Sequence, residues 1–417
     1  MTPILPKLEV HEIWRIAPVL VLLLVLFSTR AFRFLDEPGT PGENRSRTID
    51  GLRAFLALGV FFAHASGYYT YMTTDWWGPG PSLFFNELGD VGVFLFFIIT
   101  SYLFWGKAIA AGRRVRSAAD YRRYLSSLYV ARLFRIAPLY YFVIAMMLVA
   151  TLSATGLHLV VPPLRFVKDI VHWLPLGLGA NVRINGSDTP PVTAGMVWTL
   201  AWEWYFYFSL AALSLLAFSR RLRFAAPLLS LAVALVAALH GQIAAGFYIA
   251  LFSLGMIFAA VAASGTSLRS LPEPLASIVA TALILLAYCG VGGAHSGLQL
   301  ACIAAFFYLV MTGCDLFGLL KSQAAQRLGT ISYSIYLMHG LCLHFVFGMG
   351  PVRAFAFASI GHYWFVVLLA GIVTTGVASL TFVFIEAPGI QAGRNVLGGL
   401  RQVRGGGRET QATPAMT

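Results

Sequence analysis

Apolar runs of roughly 20 residues, the length needed to cross a bilayer as helix, recur from one end of this chain to the other. They fall at about 16–34, 52–71, 90–106, 136–156, 198–218, 224–240, 243–264, 275–292, 298–318, 330–350 and 363–385. Such runs leave little room for a water-soluble domain. Of the 417 residues, 58% are hydrophobic and 11% charged, against about 25% charged in soluble domains. The mean hydropathy of +0.76 agrees. The expected fold is all-α, a polytopic transmembrane helical bundle of about 11 spans. The first run lacks a small-residue cleavage site and is followed by Arg30 and Arg33. A retained helix is expected there rather than a signal peptide.

The formal net charge is +12. The arginines sit in short segments between apolar runs, and no basic-aromatic domain stands outside them. No nucleic-acid partner is expected. Membrane orientation explains the charge better. Arg45, Arg47 and Arg53 precede the second run. Lys107, Arg113, Arg114, Arg116, Arg122, Arg123, Arg132 and Arg135 follow the third. Arg220, Arg221 and Arg223, then Arg269, then Lys321 and Arg327, then Arg394, Arg401, Arg404 and Arg408 recur at alternate connections. The other side carries mainly Arg165, Lys168 and Arg183. This places the N-terminus outside and the C-terminus in the cytosol, with the lipid bilayer as a constant partner.

Cys289, Cys302, Cys314 and Cys342 all fall inside apolar runs without CxxC spacing. They read as small buried packing residues, with no disulfide and no metal site. The long outer loop, about 157–197, has an apolar middle and reads as re-entrant or surface-lying. Asn185-Gly186-Ser187 within it matches a glycosylation sequon. Residues 391–417, rich in Gly, Arg, Gln and Thr, read as a disordered cytosolic tail. No internal repeat, nucleotide-binding loop or nucleophile elbow is present.

The informative residues are the ionisable ones inside the runs, because charge is costly in hydrocarbon. Arg53 and His64 are eleven residues apart. At about 100° per residue they share one helical face, separated by about 16 Å of rise. That sets a guanidinium near the cytosolic surface and an imidazole near the midplane. A snorkelling arginine and a carbonyl-bonded histidine are the plainer alternative. Glu203 lies in WTLAWEWYFY, 198–207, among Trp198, Trp202, Trp204, Tyr205 and Tyr207. It is read as a partner for a histidine or an acceptor hydroxyl, the alternative being an interfacial aromatic belt. Ser332, Tyr336 and His339 stand at i, i+4 and i+7 and line one face. Arg132 and Arg135 open the run RLFRIAPLYYF. They are either an inner-surface positive cluster or the charges that meet a phosphate-bearing cofactor. His158, His172, His240, His295, His344 and His362 lie near run ends or loops and are assigned no role.

These stretches resemble the membrane-bound acyltransferase-3 family. RTIDGLRAFLALGVFFAH resembles its opening arginine, ten residues, histidine. GDVGVFLFFIITSYLF, ARLFRIAPLYY, VWTLAWEWYFY, LGTISYSIYLMHG and IEAP resemble its later segments in the expected order, over about 48–390. Two departures stand out. Thr100-Ser101 replaces the family's Ser-Gly, and the first helix, within 1–47, is extra to a ten-helix core. The resemblance implies a multi-pass protein of the bacterial cytoplasmic membrane. It implies acyl transfer, commonly of acetyl, from acetyl-CoA or another acyl-CoA to a carbohydrate hydroxyl. On this reading Arg53, Arg132 and Arg135 bind the CoA phosphates. His64, Glu203 and His339 are catalytic, and Trp198, Tyr207, Ser332 and Tyr336 bind substrate. A transporter of a lipid-linked sugar or a non-catalytic scaffold are the competing classes.

Overall fold

The computed structural model describes residues 10–36, 46–179, 183–265 and 271–405, with side chains described as far as 399. Arg45, Arg269 and Arg408 lie outside the described residues. Sixteen α-helices account for nearly all the regular structure there. They are α1 (Ile16–Ser28), α2 (Arg47–Thr74), α3 (Leu83–Ala111), α4 (Ala118–Ala154), α5 (Pro163–Trp173), α6 (Pro190–Thr193), α7 (Val197–Ala217) and α8 (Ala225–Leu239). Then come α9 (Ile243–Ala262), α10 (Glu273–Tyr288), α11 (Gly297–Met311), α12 (Gln323–Thr330), α13 (Ser332–Gly348), α14 (Gly350–Ala356), α15 (Ile360–Thr381) and α16 (Ala387–Gly405).

Six helices are long and apolar enough to cross a membrane, or seven if the bent pair α12–α13 is one span. Four more apolar helices are shorter. At 1.5 Å per residue, the 15 residues of α8 rise about 22 Å, short of a hydrocarbon core of about 30 Å. Length alone therefore does not reach the expected eleven spans. The run at 330–350 is essentially α13, 17 residues long, and the preceding α12 meets it at 72°.

Local signals start several helices. Ser117 and Asp120 form a capping box at α4, each side chain accepting the other's backbone N–H. Ser322 and Ser359 cap α12 and α15. Over Phe382–Glu386 the helix widens into a π-type turn. It then continues as α16 through the region read as a tail, while residues 406–417 lie outside the described residues.

Two apolar cores form, and α2 and α13 contribute to both. One holds Leu56, Val60, Phe97, Tyr140 and Leu337. The other holds Phe27, Phe61, Ile335 and Phe347. The polar side chains of α2 and α13 thus sit where the cores meet. Backbones approach closely at the foot of α2, where a Cβ on Gly51 would stand 1.8 Å from the Leu320 carbonyl oxygen. The unusual Ser101 of α3 is fully buried. It is accommodated by a glycine opposite, because a Cβ on Gly255 would meet its hydroxyl at 2.0 Å.

Three further sequence expectations change. Cys302, Cys314 and Cys342 are buried, but Cys289 is exposed, since it follows the last turn of α10. Asn185 is 0% exposed. Its amide binds Thr155 and the His158 carbonyl, and its oxygen accepts from the Val160 N–H. The folded chain offers no sequon there. The long loop carries α5 and α6, and α6 packs on α13, where Gly340 leaves no room for a Cβ against Thr193.

Candidate active site

Because α2 is continuous from Arg47 to Thr74, Arg53 and His64 keep the shared face that their spacing predicts. Both turn inward. His64 meets His339 of α13, with His339 Nε2 3.2 Å from His64 Nδ1 and ring centroids 4.9 Å apart. His64 Nδ1 lies 2.9 Å from the Val60 carbonyl, and His339 Nδ1 lies 2.6 Å from the Tyr336 carbonyl. A carbonyl only accepts, so both Nδ1 atoms carry hydrogen when the rings are neutral. His339 Nε2 then presents its lone pair to the His64 N–H. His64 Nε2 is left with a lone pair and no partner among the described residues. Trp77 stacks on His64 at 6.1 Å and 4°.

From the histidines a polar chain runs through the bundle. Tyr336 OH meets Thr199 Oγ1 at 2.8 Å and donates to the Met196 carbonyl at 3.3 Å. Glu203 does not meet a histidine. It sits one turn from Tyr207 on its own helix and faces α3, so it accepts from Tyr207 OH at 2.8 Å and Thr100 Oγ1 at 3.2 Å. Tyr207 is 1% exposed and spent in that bond, which makes it a support for Glu203 rather than an open wall. Ser332 is buried with its hydroxyl unpartnered. Trp198 is half-buried against Phe97 and Tyr248.

At the other end the cations gather. Arg135 Nη2 lies 3.2 Å from Glu386 Oε1, an ion pair with Glu386 wholly buried. Ser334 Oγ donates to Glu386 Oε2 at 2.9 Å. Arg53 and Arg132 also act on this carboxylate, and Arg53 lies 3.9 Å from Asp50. Arg132 and Lys107 both lie over the Phe104 ring, at 4.7 and 5.5 Å. The Nε of Arg132 is buried with no hydrogen-bond partner. Three guanidinium groups around one buried carboxylate, with an unpartnered Arg132 nitrogen among them, are the electrostatic form of an anion site.

Eight of the ten sequence-predicted residues lie along this polar interior, while Ser332 and Trp198 make no polar contact with it among the described residues. Glu386, Lys107, Trp77, Thr100 and Thr199 also belong to it and were assigned no role from sequence. Glu386 had a signal, since an acid in an apolar run is functional by default. Lys107 was read only as part of the positive segment after the third run, and Trp77, Thr100 and Thr199 had no signal, because a neutral hydroxyl or an indole there reads as packing. Two hollows of about 440 and 450 Å³ lie elsewhere, against Phe258 and Glu273, and touch none of these residues. Among the described residues no group of His, Cys, Asp and Glu is placed to hold a metal.

Comparison with curated proteins and with solved structures gave no match. The acyltransferase domain of the acyltransferase-3 family does match, over residues 47–383. That range begins at the first residue of α2 and takes in both histidines and the four cations. The segment before it, with α1, stands outside the match. A helical bundle with several helices able to span a membrane, a match over most of the chain and an interior imidazole pair agree on one assignment: the chain belongs to the acyltransferase-3 family and is a membrane acyltransferase.

Proposed function

We propose that this acyltransferase moves an acyl group, acetyl in the first instance, from cytosolic acyl-CoA to a hydroxyl of a cell-envelope or exported carbohydrate. It works in the bacterial cytoplasmic membrane, with the N-terminus outside and the C-terminus in the cytosol. The observation that carries the chemistry is the unshared lone pair on His64 Nε2, aligned on one helix face with Arg53.

CoA is polyanionic. Arg53, Lys107, Arg132 and Arg135 bind its phosphates by charge-assisted hydrogen bonds. The pantetheine arm follows α2 for about 16 Å and brings the thioester to His64. His64 Nε2 takes the proton of the acceptor hydroxyl as general base. The hydroxyl oxygen attacks the thioester carbonyl, the C–S bond breaks, and the thiolate takes the proton back from His64. While His64 is cationic, its Nδ1–H points at the Val60 carbonyl and the His339 lone pair. His339 thus holds the tautomer and spreads the charge, as the acid of a hydrolase triad does. Attack of the same lone pair on the thioester, giving an acyl-imidazole, is the second route.

Purified protein given labelled acetyl-CoA and envelope glycan should yield labelled glycan and free CoA. His64→Ala should lower turnover at least 10³-fold, within the range of general-base losses, while acetyl-CoA still binds. Turnover retained in that variant would reject the catalytic role. A trapped acetyl group on His64 would select the second route.

A further inference from the structure

At the end of α3 away from Lys107 stands a second group of side chains that the mechanism does not use. Asp90 and Lys107 are both on α3, separated by about 25 Å of rise. Trp198 and Trp202 lie in the first two turns of α7, and Tyr248 in the second turn of α9. His295 immediately precedes the α11 cap at Ser296.

The rings converge. Trp198 and Trp202 lie 5.4 and 5.1 Å from Tyr248, and His295 lies 5.6 Å from it. All are half-buried. His295 is held in a left-handed backbone conformation, φ 60°, with its N–H bonded to Gln299. Left-handed strain at a non-glycine residue has to be supported by its surroundings. Here Gln299 is itself fixed by the buried Glu87 at 2.5 Å. The Nε2 atom of His295 is buried and has no hydrogen-bond partner. The carboxylate of Asp90 also makes no hydrogen bond among the described residues, and it acts on both Tyr248 and Tyr336. Tyr336 in turn packs 5.9 Å from His339. The group is therefore continuous with the histidine pair and lies opposite the cations.

Unspent polar atoms beside half-buried, converging aromatic rings define a ligand chemistry. The planes receive a flat, weakly apolar face, and the carboxylate and imidazole receive hydroxyls. A sugar ring has both. We propose that Asp90, Trp198, Trp202, Tyr248 and His295 form the acceptor subsite, built for a pyranose ring with free hydroxyls. This rests on the carbohydrate reading above. Donor and acceptor then approach the histidines from opposite ends of the bundle.

The test uses the full-length protein in detergent. Tryptophan fluorescence is followed during titration with methyl pyranosides and with their peracetylated forms, which lack hydroxyl groups. Labelled acetyl-CoA binding is measured in parallel. The expected result is a saturable response to the free pyranosides and none to the peracetylated ones. Trp202→Ala and His295→Ala should weaken it at least tenfold and Trp202→Phe should restore most of it, with acetyl-CoA binding unchanged throughout. No saturable response to any pyranoside would overturn the subsite, as would a parallel loss of acetyl-CoA binding in the variants. Pyranoside binding without acyl transfer from acetyl-CoA would instead sink the proposed function and leave the subsite standing.

Discussion

Two guanidinium sites inside this bundle contrast sharply. Arg327 of α12 is 1% exposed, and all three of its nitrogens are engaged. Its Nε and Nη2 bind the two Asp36 oxygens at 2.7 and 2.9 Å, and its Nη1 reaches the Phe27 and Thr29 carbonyls at 2.7 and 2.6 Å. This fastens the segment outside the family match to the foot of α12. Around Glu386 the balance is reversed. Arg53, Arg132 and Arg135 gather near one wholly buried carboxylate, and a buried Arg132 nitrogen has no partner. A fully satisfied charge holds structure. A buried guanidinium nitrogen left unpaired beside other cations awaits an anion.

The contrast can be broken by substitution. Arg327→Met strands the buried Phe27 carbonyl, at about 1–3 kcal/mol for a buried acceptor left unpaired, and releases the Thr29 carbonyl and the more exposed Asp36 carboxylate. The largest expected effect is therefore loss of folded yield and a lower Tm in detergent, with early protease cleavage between α1 and α2. A stable variant with weakened acyl-CoA binding would reverse the assignments. Next in size, Arg132→Ala should keep its Tm and lose acetyl-CoA affinity roughly 10- to 150-fold, the value of one or two charge-assisted bonds. Equilibrium binding at low and high salt checks this, and unchanged affinity would remove Arg132 from the donor site.

The smallest effect sharpens the comparison through pH. The Arg327 guanidinium beside Asp36 holds its carboxyl below the ordinary value of 3.8. A lowered folded-state pKa stabilises the fold above the unfolded value and loses that contribution as pH falls through the folded one. Stability from this pair should be level from neutral pH down to about 4 and decline below it. Asp36→Asn should abolish that acid limb in a thermal-shift series. A limb of equal depth in the variant would assign it to other carboxylates.

Much of this site was legible in the sequence, for a reason particular to membranes. A charge in hydrocarbon costs several kcal/mol unless it is paired or functional, so Arg53, His64, Glu203 and His339 stood out. Helical periodicity then put Arg53 and His64 on one face, and α2 keeps them there. What stayed hidden was partnership. Glu203 was read as a partner for a histidine or an acceptor hydroxyl, and within the chain it meets Thr100 and Tyr207. Asp36 and Arg327 are far apart in sequence, and nothing local to either residue announces the clamp.

The sequence by itself determined the helical class, the ionisable residues of the interior and the facing of Arg53 with His64. These follow from hydropathy and a 3.6-residue period, which act within one helix. Only the tertiary structure decided that His339 meets His64, that Arg53, Arg132 and Arg135 converge on Glu386 and that Ser101 fits because Gly255 lies opposite. Those are contacts between helices, fixed by the mutual packing of whole surfaces, and no single segment carries them.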